Sequence, residues 1–220
     1  MEIYNSLIGL IENSIRQNWD RDALTDYKGA TLQYKDVARK IEKMHILLTQ
    51  CGIKQGDKIA ICGRNSANWT ATFLGIITYG AVAVPILHEF KADNIHNIVN
   101  HSEARLLVVG DQVWENLNEA DMPNLEGIIE LKDFDLVVSR SEQLTHVYEH
   151  LNEEFGHRYP YKFRASDVSY RREQPEELAI INYTSGTTGY SKGVMLSYRS
   201  VVSNIMDIRS KIELKPGDHI

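Results

Sequence analysis

Cysteine is nearly absent, with Cys51 and Cys62 the two examples in 220 residues. Their spacing matches no metal-binding pattern and two thiols make no disulfide framework, so both read as buried thiols in a reducing compartment. Proline is also sparse, at 5 residues, which argues against a proline-rich or low-complexity chain. No sign of charge dominates: 24 Lys and Arg face 30 Asp and Glu, and the cations are scattered. That argues against a nucleic-acid scaffold, while leaving room for a local patch that binds a polyphosphate. The N-terminus, Met1-Glu2-Ile3-Tyr4-Asn5, carries an acid where a signal peptide needs a base and has no long apolar run behind it. The expected location is cytoplasmic.

Charge is missing altogether between Arg64 and Glu89, a gap about the length of a membrane span. Asn65, Ser66, Asn68, Thr70 and Thr72 crowd its first part, and Gly80 and Pro85 divide the rest. A buried helix followed by a buried strand fits that pattern better than a transmembrane segment. Peripheral association with a membrane stays open.

What is present alternates. Residues 23–34 read as two short strands around Lys28-Gly29, and Val37, Ile41, Met44 and Leu48 recur at helical spacing over 35–50. Strands follow at 58–62, 82–85 and 105–109, separated by helices at about 68–79 and 91–101. The same unit continues through 111–119, 127–131 and 140–154. The expected fold is α/β, a mostly parallel sheet flanked by helices. Residues 156–177 are polar, with Pro160, Pro175 and Arg171-Arg172-Glu173, and read as a surface connection. The expected organisation is a first α/β subdomain at 1–155, that connection, and the start of a second subdomain at 178–220. The last six residues, Lys215 to Ile220, read as a turn before a further strand, so the chain is expected to be cut.

The strongest signal is Thr184-Ser185-Gly186-Thr187-Thr188-Gly189-Tyr190-Ser191-Lys192-Gly193. Gly186, Gly189 and Gly193 let the backbone turn tightly and offer N–H groups to an anion without obstruction. Thr184, Ser185, Thr187 and Thr188 supply hydroxyls, Lys192 supplies a mobile positive charge, and no carboxylate interrupts the run. A surface turn would share this composition. Here the apolar strand Leu178–Tyr183 leads into it and an apolar turn, Val194-Met195-Leu196, follows, so a phosphate-cradling loop is the better reading. It is not a Walker A loop, because Ser191 rather than glycine precedes Lys192. No Gly-x-Gly-x-x-Gly opens a first strand–helix turn, which excludes a dinucleotide fold.

This loop resembles the signature of the adenylate-forming (AMP-binding) superfamily, Thr-Ser-Gly-Thr-Thr-Gly-x-Pro-Lys-Gly-Val, from Thr184 to Gly189 and again from Lys192 to Val194. Gly56-Asp57-Lys58-Ile59-Ala60-Ile61 is similar to the family's Gly-Asp-Arg-Val-Ala-Ile strand, and Gly80-Ala81-Val82-Ala83-Val84-Pro85 to its Gly-Ala-Val-x-Val-Pro element. Thr31–Tyr34, Asn65-Ser66…Trp69 and Ser102-Glu103-Ala104 extend the likeness over essentially the whole chain. Acyl-CoA synthetases, in particular long-chain fatty acid–CoA ligases, are the members it looks most like. Two departures stand out: Ser191 replaces the usual proline, and Tyr198 stands where many members carry histidine.

The resemblance implies the N-terminal part of the large domain of an ATP-dependent, AMP-forming acid–thiol ligase. It implies ATP with Mg²⁺, a small carboxylic acid, in first place a fatty acid, and coenzyme A as cosubstrate. ATP would be held by Thr184, Ser185, Gly186, Thr187, Thr188, Gly189 and Lys192. Lys192 and Thr184 would act in catalysis, with Thr184 also touching Mg²⁺ through ATP. Family members are longer, so the 220 residues alone are expected to be inactive or weakly active. The alternatives are a ligase for aryl or amino acids, and a nucleotide-binding module without catalysis. Outside the loop, His146 and His150 are four apart but read as a solvated face. His88 reads as core-edge packing at a strand end, and Trp69, Phe73 and Tyr79 as packing.

Overall fold

A computed structural model describes residues 6–184 and 191–213. Helix α1 (Leu7–Gln17) comes first, then strands β1 (Asp22–Thr25) and β2 (Thr31–Gln33), which pair antiparallel as a small separate sheet. Helix α2 (Tyr34–Gln50) leads into an alternating run of β3 (Lys58–Cys62), α3 (Ala67–Tyr79), β4 (Val82–Ile86), α4 (Ala92–His101) and β5 (Ala104–Val109). A short α5 (Asp111–Trp114), β6 (Gly127–Glu130), β7 (Leu136–Ser139), α6 (Glu142–Glu149) and α7 (Leu151–Arg158) follow. The described chain ends with β8 (Leu178–Thr184), β9 (Lys192–Ser197) and α8 (Tyr198–Lys211).

Seven strands form one sheet in the order β7-β6-β5-β3-β4-β8-β9. The pairs β3–β4, β3–β5, β5–β6 and β4–β8 are parallel, and the two edge strands β7 and β9 run antiparallel to their neighbours. The expected α/β class with a mostly parallel sheet is therefore what the chain adopts. Burial of both faces explains the near-continuous apolar runs: Ile59, Ala60, Ile61 and Cys62 of β3 are all fully buried. One face carries α1, α2 and α3 through Ile8, Ile41, Leu48 and Ile76, and the other carries α4 through Ile95, Ile98 and Val99.

Local signals set the helix ends. Ser66 caps α3 by accepting from Trp69 N, and Gly80 ends it with φ 95°, a conformation that a side chain would oppose. The Ser6 hydroxyl caps α1 in the same way, accepting from Gly9 N.

Four local expectations change. Residues 111–119 hold only the four-residue α5, because Asn118 turns its side chain onto Ala120 N and caps a 3-10 turn at Glu119–Asp121. Strand β7 falls between the expected units at 127–131 and 140–154, and Phe134, at φ 66°, closes the β6–β7 turn without glycine. Val194-Met195-Leu196 is not a compact turn but the middle of β9, paired with Asn182, Ile181 and Ile180. The stretch 156–177 is no free surface connection: Phe163, Val168 and Tyr170 are buried in the main core. Within it, the Glu173 carboxylate accepts from Leu7 N at 2.6 Å and from the Ser6 hydroxyl at 2.7 Å.

Candidate functional site

All five parallel strands, β3, β4, β5, β6 and β8, end at the same edge of the sheet. Ligands of open α/β sheets bind outside the carboxyl ends of the strands, where the strand order reverses. Here the reversal falls at β3: β4 lies on one side of it and β5 on the other. The ends of β3 and β5 are held close by Gly110 N donating to Cys62 O at 2.8 Å. A Cβ on Gly63 would meet Leu131 Cδ1 at 2.5 Å, so that side chain takes the space beside Gly63.

A cavity of about 900 Å³ opens at this edge. Arg64, Lys91 and Lys132 supply three cations to its lining, against Asp26 and Asp111. Both carboxylates are already engaged: Asp26 accepts from Ala67 N at 2.7 Å and Asp111 from Gln112 N at 2.8 Å. His88 lines the cavity rather than packing at the core edge, with Nδ1 3.3 Å from a Glu89 carboxylate oxygen. In the sequence these cations carry no common signal, because each stands beside a different element and shares no motif with the others. Cys62 lies at the end of β3, and burial pushes its thiol up to about 12, so it is no nucleophile.

The hairpin β8–β9 reaches the same edge. Its register pairs Tyr183 with Gly193 and Thr184 with Lys192, and the side chains of Thr184 and Lys192 are exposed. The remaining predicted phosphate contacts, Ser185, Gly186, Thr187, Thr188 and Gly189, lie outside the described residues. Behind the exposed pair, Tyr183 is buried, and its hydroxyl lies 2.6 Å from His101 Nδ1 at the end of α4. Burial raises the Tyr183 pKa and keeps it a phenol.

The other candidates are structural. The rings of His146 and His150 lie 4.3 Å apart and tilted by 38°, with His150 Nδ1 2.8 Å from the His146 carbonyl. Among the described residues no group of three or more His, Cys, Asp or Glu could hold a metal ion. Trp69 stacks on Phe73, and the Tyr79 hydroxyl donates to Ile53 O at 2.6 Å. Tyr198 is fully buried and donates to Ile77 O at 2.6 Å, so this departure from the usual histidine is a packing anchor for α8. Among the described residues no helix is long and apolar enough to cross a membrane.

Thr184 and Lys192, the described ends of the Thr/Ser/Gly run, thus stand at the carboxyl edge of a mostly parallel α/β sheet. The family model described as "AMP-binding enzyme" matches residues 11–220, and the chain belongs to that family. It is 27% identical to a probable acyl-activating enzyme 16, chloroplastic, of Arabidopsis thaliana, over 98% of this chain and 31% of that protein. It is 24% identical to a long-chain-fatty-acid–CoA ligase of Escherichia coli, over 99% of this chain and 41% of that protein. Among solved structures, an anthranilate CoA ligase in complex with anthranoyl-AMP superposes with a TM-score of 0.71. That match has 21% identity and covers 90% of this chain and 36% of the ligase. The chain thus spans well under half the length of these relatives.

Proposed function

We propose that the chain is the phosphate-gripping part of an ATP-dependent ligase that activates a carboxylic acid as an acyl-adenylate and passes it to coenzyme A. The observation that carries this reading is the pairing of Thr184 with Lys192 at the carboxyl edge of the sheet, the two described ends of the family's phosphate motif. A carboxylate is already a nucleophile, so the first step needs little acid–base help. One carboxylate oxygen attacks the α-phosphorus, a C–O–P linkage forms, and the bond to the β-phosphate breaks with release of pyrophosphate. The protein's task is to hold the triphosphate and neutralise charge on the leaving pyrophosphate. Lys192 supplies the charge and Thr184 a hydroxyl donor. Mg²⁺ bound to ATP would further screen that charge, with Thr184 the described residue suited to meet it. A thiolate then attacks the acyl carbonyl and AMP leaves.

The cavity supports a second anionic cosubstrate. Arg64, Lys91 and Lys132 outnumber the carboxylates there, which suits the phosphates of coenzyme A. A fatty acid is the proposed acid, with aryl and amino acids as the alternatives.

The test is carboxylate-dependent exchange of labelled pyrophosphate into ATP, with fatty, aryl and amino acids compared. It should be run on the 220-residue chain and on any natural continuation of it. Exchange is expected from the longer protein, and Lys192→Ala should lower it by about a hundredfold or more. The 220 residues alone should show little. ATP binding without exchange in the longer protein would leave a non-catalytic nucleotide module; robust exchange by the short chain would refute the partial-site reading.

A further inference from the structure

We propose that His101 and Tyr183 form a positioning pair that holds Thr184 and Lys192 in place for phosphate binding. The inference rests on the phosphate reading above and adds to it two residues outside the motif's phosphate-contacting positions.

Tyr183 occupies the last buried position of β8, one residue before Thr184. Strand β8 meets β4 in register at Ala83 and Ile180, so Tyr183 lies beyond that tie, toward the phosphate motif. There its side chain ties it to α4. The hydroxyl lies 2.6 Å from His101 Nδ1, and the two rings stand perpendicular with centroids 5.8 Å apart. His101 ends α4, a helix fixed against the sheet by Ile95, Ile98 and Val99, which makes it a firm support. The imidazole tautomer decides which of the hydroxyl and Nδ1 is the donor, and the contact joins the two side chains in either case.

The Tyr183 ring also meets β9. A Cβ on Gly193 would meet Tyr183 Cζ at 3.2 Å and Ile181 Cγ2 at 2.9 Å, so the Gly193 backbone rests on these two side chains. Gly193 is the register partner of Tyr183 and the neighbour of Lys192. A shift of the ring therefore moves both strands at the point where Thr184 faces Lys192. His101 touches no substrate in this arrangement; it acts through Tyr183.

The test is a double-variant cycle on equilibrium binding of inorganic pyrophosphate and of ATP by the 220-residue chain, with thermal midpoints measured alongside. His101→Ala and Tyr183→Phe are each expected to weaken binding by up to about tenfold, the value of one lost, partly buried hydrogen bond. The double variant should bind no worse than either single one, because both remove the same contact. His101→Asn, whose amide oxygen can accept near the Nδ1 position, should bind within about twofold of the original chain. Such rescue would not follow if the ring merely filled space. Single variants that bind normally, additive losses, or losses that track the thermal midpoint without rescue by Asn would overturn the pair. Lys192→Ala serves as the control for the underlying reading. Should the unaltered chain bind neither ligand, or Lys192→Ala leave binding unchanged, the phosphate assignment fails and takes the pair with it. That outcome is distinct from a chain whose binding needs Lys192 but ignores His101.

Discussion

At the scale of single residues, His45 makes a demand on pH. It is enclosed between α2 and α3, with Nε2 3.0 Å from the Thr78 hydroxyl and its ring edge-on to Tyr79 and Tyr170. Burial lowers its pKa to about 4, although the nearby Glu42 pulls the other way and Arg158 adds to the lowering. The unfolded chain therefore takes up a proton near pH 6.5 that the folded chain refuses until about 4. Stability is unaffected by this group above about pH 6.5 and falls as pH drops from there to about 4. The loss is at most about 3 kcal/mol, and below pH 4 it grows no further. Urea midpoints at pH 7.5, 5.5 and 4.5 should fall in that order. His45→Gln should flatten the decline, and an unchanged decline in that variant would place its origin elsewhere.

The residue scale also shows what the sequence made legible. Thr184 and Lys192 were readable because a phosphate grip is built from neighbours in one short run. His101 was not, since its meaning comes from Tyr183, with which it shares no motif and which packs against it only after the sheet has formed. The cavity cations Arg64, Lys91 and Lys132 were hidden for the same reason.

At the scale of elements, periodicity served well where an element is continuous and apolar. The bounds expected for β3 match those observed, and α2, α3 and α4 shift by a residue at one end. Edge elements were the ones lost. Strand β9 leaves Val194 and Met195 exposed, so the alternation that marks a half-buried strand is absent. Helix α1 depends on a partner 166 residues away in sequence, since Leu7 N donates to Glu173.

That contact yields the prediction belonging to this scale. The Glu173 carboxylate meets the N-terminus of α1, taking Leu7 N at 2.6 Å, Ile8 N at 3.4 Å and the Ser6 hydroxyl at 2.7 Å. Negative charge is favourable there, and the two backbone donors it satisfies are buried. Glu12, on the same helix, accepts from Tyr170 N at 2.7 Å and from Arg172 at 3.0 Å, so two carboxylates tie α1 to residues 170–173. The Arg172 hydrogen bond leads the causes that hold the Glu12 carboxyl below its ordinary range. Glu173→Ala should cost about 2–3 kcal/mol in urea unfolding by leaving the helix donors without an acceptor. Glu173→Gln should cost less, because the amide oxygen still accepts. Amide exchange at Leu7–Ile11 should quicken in both; a variant as stable as the original chain would show that α1 is held by its apolar face alone.

For the molecule as a whole, the parallel sheet was legible and the strand order was not, because order is fixed by which crossovers pack on which face. That order bears on how the chain unfolds. The sequence suggests a first subdomain to residue 155 and a new one from 178, and two independent units would open separately. Yet β8 pairs with β4 in the same sheet, Tyr198 donates to Ile77 O on α3, and Arg171 bonds Glu177 at 2.7 Å beside Gly80. Ala179, Tyr198 and Val202 belong to the core of the α2–α3 face, and Ile181 and Tyr183 to that of the α4 face. Each core thus runs through both proposed units, and neither unit buries its apolar surface alone. We expect β3, β5 and β8 to share one opening free energy when amide exchange is followed across a urea series. Strand β9 and the last turns of α8 should exchange faster, since Val194, Met195, Ile208 and Ile212 pack against little. If β8 opened at lower urea than β3, residues 178–213 would be a unit of their own, and Thr184 and Lys192 would stand on a platform that moves independently of the cavity beside them.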